Sequence, residues 1–236
     1  MHKVTKYIWI IFLCLLPILS CSEPRQYKAV YSFSLKGIKF ANSEHNLIYN
    51  MNRDEWCINT KSYAVNIFSI KKDTRTENSC FTFHKISNKN LNIPLLSGYL
   101  GFKSYYFERI RSGDTESVVS EMIDNKVVST LNEIDVIYDD NSKLDRLTAQ
   151  IFGYALDEIN ISDKGRERKY SFKHIRDDKI ETIFGETNVK IIKKDILNNK
   201  RSSLIWYSKD NNHLPVMIEQ YRLDKLMFRA TLTSFE

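Results

Sequence analysis

Apolar and polar residues alternate most clearly in the last third of the chain. Between Leu226 and Leu232 every even position is apolar, whereas Arg229 occupies an odd one. A repeat of two residues is typical of a strand with one buried face. The runs 203–207 and 215–221 have the same character and are followed by polar segments, so the sequence predicts antiparallel hairpins. These strands are predicted to bury seven side chains, those of Leu204, Trp206, Val216, Ile218, Leu226, Phe228 and Leu232.

The same alternation recurs through the middle of the chain, which we interpret as further strands separated by turns. A long loop is predicted at residues 87–98, where Asn, Ser and Pro concentrate. The predicted strands are 27–35, 38–41, 45–50, 56–69, 80–83, 105–110, 118–123, 126–131 and 134–138.

Residues 142–156 break the alternation. Their apolar residues fall at three- and four-residue steps, and Asn141 or Ser142 is placed to cap the free amides of a helix. The whole pattern predicts a mainly β protein. Its sheet is expected to be antiparallel and strongly curved, open or a half-barrel, with one short amphipathic helix at about residues 142–156.

Five segments of the chain resemble segments of a known family. They are the tryptophan strand 204–207, the segments 214–219 and 232–235, the strand–glycine–strand step 182–191, and an aspartate pair at 139–140 that precedes the helix. Together they resemble the bacterial envelope family of unknown function numbered 3108, over residues 27–235. The resemblance implies an envelope protein, and its motifs are structural rather than catalytic.

The start of the chain has the layout of an export signal. Two lysines precede an apolar run at residues 8–19, which is too short to span a bilayer comfortably. The run leads to Cys21 and resembles the cleavage box of bacterial lipoproteins, in which the cysteine takes a lipid on its sulfur. We predict a lipoprotein signal peptide at 1–20, a polar spacer at 21–26 and a single β-rich envelope domain at 27–236. An uncleaved anchor and ordinary signal cleavage stay open as alternatives.

Cysteine usage agrees with export. If Cys14 leaves with the signal and Cys21 carries lipid, Cys57 and Cys80 remain. An even pair in an oxidising compartment predicts a disulfide, and both residues lie in strand-like runs. The alternative is a pair of buried free thiols. A metal site is not predicted, because neither cysteine has a second ligand at close spacing.

Charge changes the picture only slightly. Removal of residues 1–20 leaves 33 basic and 29 acidic residues, a net charge of +4. We interpret the basic clusters as solvated strand edges and loops, with weak attraction to anionic lipid head groups as the alternative. Nucleic acid is not a predicted partner, because export removes the chain from the cytosol. The two clusters are Lys164, Arg166, Arg168 and Lys169, and Lys190, Lys193, Lys194, Lys200 and Arg201.

Catalytic motifs are missing from the sequence. It contains no glycine-rich phosphate loop, no serine elbow and no histidine pair at zinc spacing. Asp139 and Asp140 fit the roles of caps or turn formers better than that of a carboxylate pair. We therefore predict no catalytic residue, no cofactor and no metal. The histidines that remain after signal removal, each isolated in sequence, are His45, His84, His174 and His213.

Two functional hypotheses follow. The first is a non-enzymatic envelope lipoprotein that binds an apolar ligand, a lipid or acyl chain, in its curved sheet, because the strands carry more aromatic residues than one short helix covers. The second is a structural or assembly protein that contacts another envelope protein. In both, the N-terminal lipid tethers the protein to the periplasmic face of the bacterial outer membrane, or the protein lies free in the periplasm. A continuous apolar cavity favours the first hypothesis, and a filled core with an exposed apolar patch favours the second.

Overall fold

The computed structural model describes residues 24–83, 100–131, 134–140 and 142–236. Within these residues fifteen strands form one sheet. Their bounds are β1 Tyr27–Leu35, β2 Ile38–Asn50, β3 Glu55–Ala64, β4 Thr74–Phe83, β5 Leu100–Arg111, β6 Asp114–Ile123, β7 Lys126–Leu131, β8 Ile134–Asp140, β9 Leu144–Asp145, β10 Glu158–Ser162, β11 Glu167–Thr182, β12 Gly185–Ile196, β13 Arg201–Ser208, β14 Pro215–Arg222 and β15 Lys225–Phe235.

Neighbours in the sheet are mostly neighbours in the chain. The order is β8-β7-β6-β5-β4-β3-β2-β1-β15-β14-β13-β12-β11-β10-β9. Two meanders are therefore joined by the antiparallel pair of the first and last strands, which aligns Ala29 with Phe235. The edges β8 and β9 do not pair with each other, so the sheet is open. The predicted mainly β, open curved sheet with one short helix is confirmed, although the β9–β10 pair is parallel rather than antiparallel.

The sheet curves until its two wings, β1–β8 and β9–β15, approach each other. Lys164, which follows β10, places its Nζ atom 3.7 Å from the ring centre of Phe107 in β5, although these strands are far apart in the sheet order. A short helix fills the space between the wings. Its Phe152 ring lies 5.4 Å from that of Phe81 in β4, and its Gln150 carbonyl accepts a 2.7 Å hydrogen bond from the Tyr207 hydroxyl of β13.

The helix α1 spans Arg146–Phe152 and continues as a 3₁₀ turn over Gly153–Ala155, so it begins later than predicted. Its cap is Asp145, not Asn141 or Ser142. The Asp145 carboxylate is fully buried and accepts hydrogen bonds from the Leu147 and Thr148 amides at 2.8 and 3.1 Å. Leu144 is part of β9 rather than of the helix. Asp145 is the cap because Leu144 and Asp145 are paired in β9, so the helix begins only at Arg146; the Asp145 carboxylate also accepts a 2.6 Å hydrogen bond from Ser79 Oγ in β4.

Buried side chains form two clusters. Along β12 and β13 the members alternate between them, with Ile192 and Ile205 in one and Ile191 and Trp206 in the other. The clusters therefore lie on opposite faces of these strands. Of the seven predicted core residues, four are buried and three, Leu204, Leu226 and Phe228, are half-buried.

Several strand boundaries differ from the prediction. Residues 38–50 form one continuous strand instead of two, and residues 66–69 belong to the 3₁₀ helix Asn66–Lys71 instead of a strand. Neither β10 nor β11 is among the predicted strands, and the second half of β11 carries charged residues on both faces. The short β10 pairs only with residues 167–171, so that second half pairs with β12 alone and lies at an open edge, where charged residues are tolerated.

The predicted signal peptide, Cys21 and the loop at 87–98 lie outside the described residues. The first described residues, Pro24 to Gln26, precede β1 directly, and Pro24 is buried. Among the described helices none combines the length and apolar character needed to cross a membrane.

Candidate functional site

On strands β1–β5 the inner face of the sheet carries side chains in rows that run across the strands. One row aligns Ala29, His45, Thr60, Glu77 and Phe107 through direct strand pairing. The adjacent row, two residues away along each strand, aligns Tyr31, Ser43, Ser62, Arg75 and Arg109. Polar and charged groups therefore occupy the middle of a face whose flanks are apolar.

Opposite these rows, the segment between β10 and β11 closes a cavity of about 480 Å³, which we call the chamber. Seven cationic side chains and three carboxylates line it, together with His45 and several neutral residues. The cationic residues are Arg75, Arg146, Lys164, Arg166, Arg168, Lys194 and Arg201, and the acidic ones are Glu77, Glu116 and Asp163.

Glu77 is the centre of the first charge network in the chamber. It is almost completely buried and receives both ends of the Arg146 guanidinium, with N–O distances of 2.8 and 2.7 Å. The Tyr105 hydroxyl donates to it at 2.7 Å, and Arg75 Nη2 lies 2.6 Å from its Oε1. Burial raises the pKa of Glu77, and the positive charge of Arg75 acts against that rise. A buried carboxylate of this kind is stable only because it has these partners.

Asp163 is the centre of the second network. Arg168 Nε lies 3.2 Å from its Oδ2, and the Tyr170 hydroxyl donates to the same oxygen at 3.1 Å. Arg146 Nη1 is 4.0 Å from the other oxygen, which links the two networks across the chamber. Three of the seven cations are thereby committed to Glu77 or Asp163.

The side chains of Lys164 and Lys194 have no partner of this kind. Neither side chain forms a hydrogen bond or ion pair with a described residue. Lys164 lies over the Phe107 ring, and Lys194 Nζ is 5.4 Å from the Tyr170 ring centre. Burial lowers the pKa of both lysines, and for Lys164 the nearby charge of Arg75 lowers it further. Both lysines remain within electrostatic reach of Glu77 and Asp163.

A second cavity, also of about 480 Å³, continues from the chamber towards the 3₁₀ helix, and we call it the groove. Its apolar lining is aromatic. Phe33 lies 5.3 Å from Phe228 and 6.3 Å from Phe40, and Phe40 lies 6.2 Å from Phe68, all between ring centres. The groove and the chamber share five lining residues, Phe33, Ser62, Arg75, Lys164 and Phe228. The two cavities therefore adjoin, and the phenylalanines lie in the groove beside charged residues that include Asp73 and Arg109.

Comparison with known proteins adds little to this geometry. No family model matches the chain, and no curated protein does. One solved structure, a protein classed as a lipoprotein from Parabacteroides distasonis, aligns with a TM-score of 0.36 and 14% identity over 90% of this chain and 96% of that one. Another, a protein classed as exported with a YmcC-like fold from Bacteroides fragilis, aligns with a TM-score of 0.37 and 8% identity over the same shares. Likeness at this level does not establish a shared function, and the resemblance to the family numbered 3108 stays a prediction.

The structure joins Cys57 and Cys80 directly. They are paired across β3 and β4, their Cα atoms are 4.1 Å apart and their sulfurs form a disulfide. Glu55 lies beside the two sulfurs. Disulfide sulfurs lack the thiolate charge that metal binding needs, so this cluster is not a metal centre while the bond is intact. Cys21 lies outside the described residues, so its lipidation stays a prediction.

Two of the four histidines lie away from the chamber. His174 pairs with Asp177 on the surface at 3.0 Å, and His213 stacks on the Tyr154 ring. His45 instead lies in the chamber, where its Nε2 is 3.0 Å from Ser43 Oγ and burial lowers its pKa to about 4. His84, and the side chains of Asp139 and Asp140, lie outside what the structure describes.

The prediction that the basic clusters are solvated edges is wrong for part of each cluster. Lys164, Arg168 and Lys194 are half-buried in the lining of the chamber, whereas Arg166 and Arg201 line it but are exposed. The sequence contained a signal that charge counting overlooks: Arg168 is in phase with buried Tyr170 and Phe172 in β11, and Lys194 is in phase with Ile192 in β12. A cation in phase with apolar neighbours points to the inner face of its strand.

Proposed function

We propose that this protein is a non-enzymatic envelope lipoprotein that binds a ligand with an apolar chain, a lipid or acyl chain, in the groove of its curved sheet. The observation that carries the proposal is the aromatic lining of the groove, formed by Phe33, Phe40, Phe68 and Phe228. Apolar cavities with a few polar groups at one end are the usual form of sites for lipid-sized molecules.

The membrane tether is the second part of the proposal. Lipid on Cys21 would hold the domain at the periplasmic face of the outer membrane, since several buried acyl chains anchor a protein without a transmembrane helix. Only two residues lie between Cys21 and Pro24, which is buried next to β1. The tether would therefore hold this end of the sheet close to the bilayer.

Fractionation of a Cys21→Ser variant tests the tether. We expect the variant to move from the membrane fraction to the soluble periplasmic fraction with its fold unchanged, because Cys21 precedes the predicted domain at 27–236. Circular dichroism of both proteins provides the control for folding. Retention of Cys21→Ser in membranes as firmly as the parent would show that the apolar run 8–19 is an uncleaved anchor.

Native mass spectrometry of protein purified from its own envelope tests the ligand. We expect a co-purifying molecule that carries an alkyl or acyl chain, and weaker retention of that molecule by Phe228→Ala. Met227→Ala is the matched control, because Met227 is the next residue but is 44% exposed on the other face of β15. An empty parent protein, or equal retention by the two variants, would argue against binding in the groove.

One observation favours the alternative, a structural or assembly role with an envelope protein as partner. Ile38, Ile67 and Ile70 are 62%, 75% and 83% exposed around the 3₁₀ helix, and exposed apolar clusters often mark contact sites. Site-specific photo-crosslinking from position 67 in the native envelope tests this role. A single cross-linked protein that Ile70→Ser abolishes supports it, whereas unchanged migration of the protein argues against it.

A further inference from the structure

We infer that the chamber binds the anionic end, a carboxylate or phosphate group, of the ligand whose chain lies in the groove. The inference rests on the proposed function and adds the chemical class of the head group. It rests on four observations, which are the net positive charge of the chamber, the cations without a side-chain partner, the unsatisfied donor of Arg75 and the residues that line both cavities.

The charge balance of the chamber is positive. Seven cations face three carboxylates, a local excess of four positive charges in a chain whose whole sequence carries +6. Glu77 and Asp163 already have arginine partners, so they cannot neutralise the rest. A cavity lined by one sign of charge focuses its field and concentrates ligands of the opposite sign.

The excess is carried by cations without a partner. Lys164, Arg166, Lys194 and Arg201 form no side-chain hydrogen bond or ion pair with any residue in the described part of the chain. Arg166 and Arg201 reach solvent, whereas Lys164 and Lys194 are partly buried against aromatic rings. Partly burying an ammonium group costs free energy that an anion beside it would recover.

Arg75 also offers an unused donor. Its Nη2 lies 2.6 Å from Glu77 Oε1 as an ion pair, and its buried Nε has neither an ion-pair nor a hydrogen-bond partner among the described residues. Buried donors are rarely left unsatisfied in proteins, and an unpaired one needs an explanation such as a bound group. An anionic oxygen in the chamber would accept from Arg75 Nε and neutralise Lys164, because both side chains line the same space.

The geometry also lets one molecule reach both ends. Arg75 and Lys164 line the chamber and the groove alike, and so do Phe33 and Phe228. An anion held at Arg75 and Lys164 therefore places its attached chain at the entrance of the aromatic end. A single amphiphile satisfies both cavities, with its charge inside the sheet and its chain along the phenylalanines.

Titration with matched probes tests the inference. The full chain carrying Cys21→Ser is titrated with dodecanoate, dodecyl phosphate, dodecanol and a lysophosphatidylglycerol, followed by calorimetry. We expect dodecanoate and dodecyl phosphate to bind about tenfold or more tightly than dodecanol, since charged hydrogen bonds contribute that much. Tighter binding of the lysolipid than of dodecanoate identifies a membrane-lipid head group as the source of the anion, and the reverse order identifies a free acid.

Variants locate the anion. Lys164→Met and Lys194→Met keep the aromatic contact and remove the charge, so they should each weaken dodecanoate binding about tenfold while leaving dodecanol unchanged. Lys193→Met is the matched control, because Lys193 is the neighbour of Lys194 on the opposite face and pairs with Asp195 at 3.0 Å. Unfolding midpoints check that each variant is folded.

The outcomes separate the two proposals. Equal binding of dodecanol and dodecanoate, or an unchanged ratio in both chamber variants, overturns the anion site and leaves the apolar chain site standing. If none of the probes binds, the apolar chain site falls and the anion site falls with it.

Discussion

The chamber and the groove adjoin and share five lining residues, yet they are stabilised in different ways. The chamber is held by charges in contact, such as Arg146 with Glu77 and Arg168 with Asp163. The groove is held by aromatic area, such as Phe33 against Phe228. Buried ion networks depend on every member, whereas aromatic packing loses stability roughly in proportion to the area removed. Single substitutions should therefore lower the free energy of unfolding more in the chamber than in the groove.

Glu77→Gln is the substitution that separates the two regions most strongly. It leaves the charges of Arg75 and Arg146 without their carboxylate, and breaking such a buried network costs about 3–5 kcal/mol of unfolding free energy. Urea unfolding measures the loss. Glu116→Gln, an exposed carboxylate in the same chamber, is the control and should change stability by less than about 0.5 kcal/mol. Similar losses in the two variants would mean that the chamber is not held by this network.

The disulfide should support both regions at once, because β3 and β4 carry lining residues of each. Closing a loop of about 24 residues stabilises by about 3 kcal/mol in the chain-entropy model. We expect the double change Cys57→Ser and Cys80→Ser to lower the unfolding free energy by that amount. Non-reducing peptide mapping of the exported protein should first recover the two cysteines in one linked pair. Recovery of both as free thiols would contradict the bond.

Phe228→Ala tests the tolerance of the groove. Full burial of a phenylalanine would make the loss about 3–5 kcal/mol, but Phe228 is half-buried, so we expect about 1–3 kcal/mol. The variant should stay folded and lose apolar ligand. Thermal unfolding against Met227→Ala measures the difference. A loss of unfolding free energy as large as that of Glu77→Gln would contradict the expected difference between the chamber and the groove.

The smallest effect is the pH response of His45 in the chamber. Its folded pKa of about 4 lies below the ordinary 6.5, so the unfolded chain binds the extra proton first. The contribution of His45 is complete above pH 6.5 and is lost as the pH falls towards 4, by about 1–2 kcal/mol after allowance for partial exposure. Urea unfolding from pH 7 to pH 4 should show a shallower loss in His45→Gln than in the parent. If the parent and His45→Gln lose stability equally between pH 7 and pH 4, a group other than His45 is responsible for the loss.

Local sequence accounts for much of the sheet. Alternation located the strands β13 to β15, and it correctly identified Trp206, Val216, Ile218 and Leu232 as buried. The helix was found by its three- and four-residue steps, although its cap was misplaced. Such features depend on neighbours a few residues away, and a strand or helix period is visible in the chain itself.

The chamber was not found in this way, because it is assembled from distant residues. Arg75 and Lys164 meet across the cavity although 89 positions separate them in the sequence. The second basic cluster was interpreted as one solvated surface, but Lys193 and Lys194 are successive strand residues and therefore lie on opposite faces of β12. Applying that period to the cations would have identified Lys194 and Arg168 as inward-facing, but not their partners.

Periodicity in the chain was enough to predict most of the strands, the apolar face of β15 and the approximate place of the helix, and the export signal before the domain stays a prediction. The pairing of β1 with β15 and the contact of Lys164 with Phe107 across the curved sheet could not be predicted in this way. The two kinds of feature differ in range. Periodicity and capping are set by contacts within a few residues, whereas curvature and the pairing of distant strands depend on the packing of all side chains together.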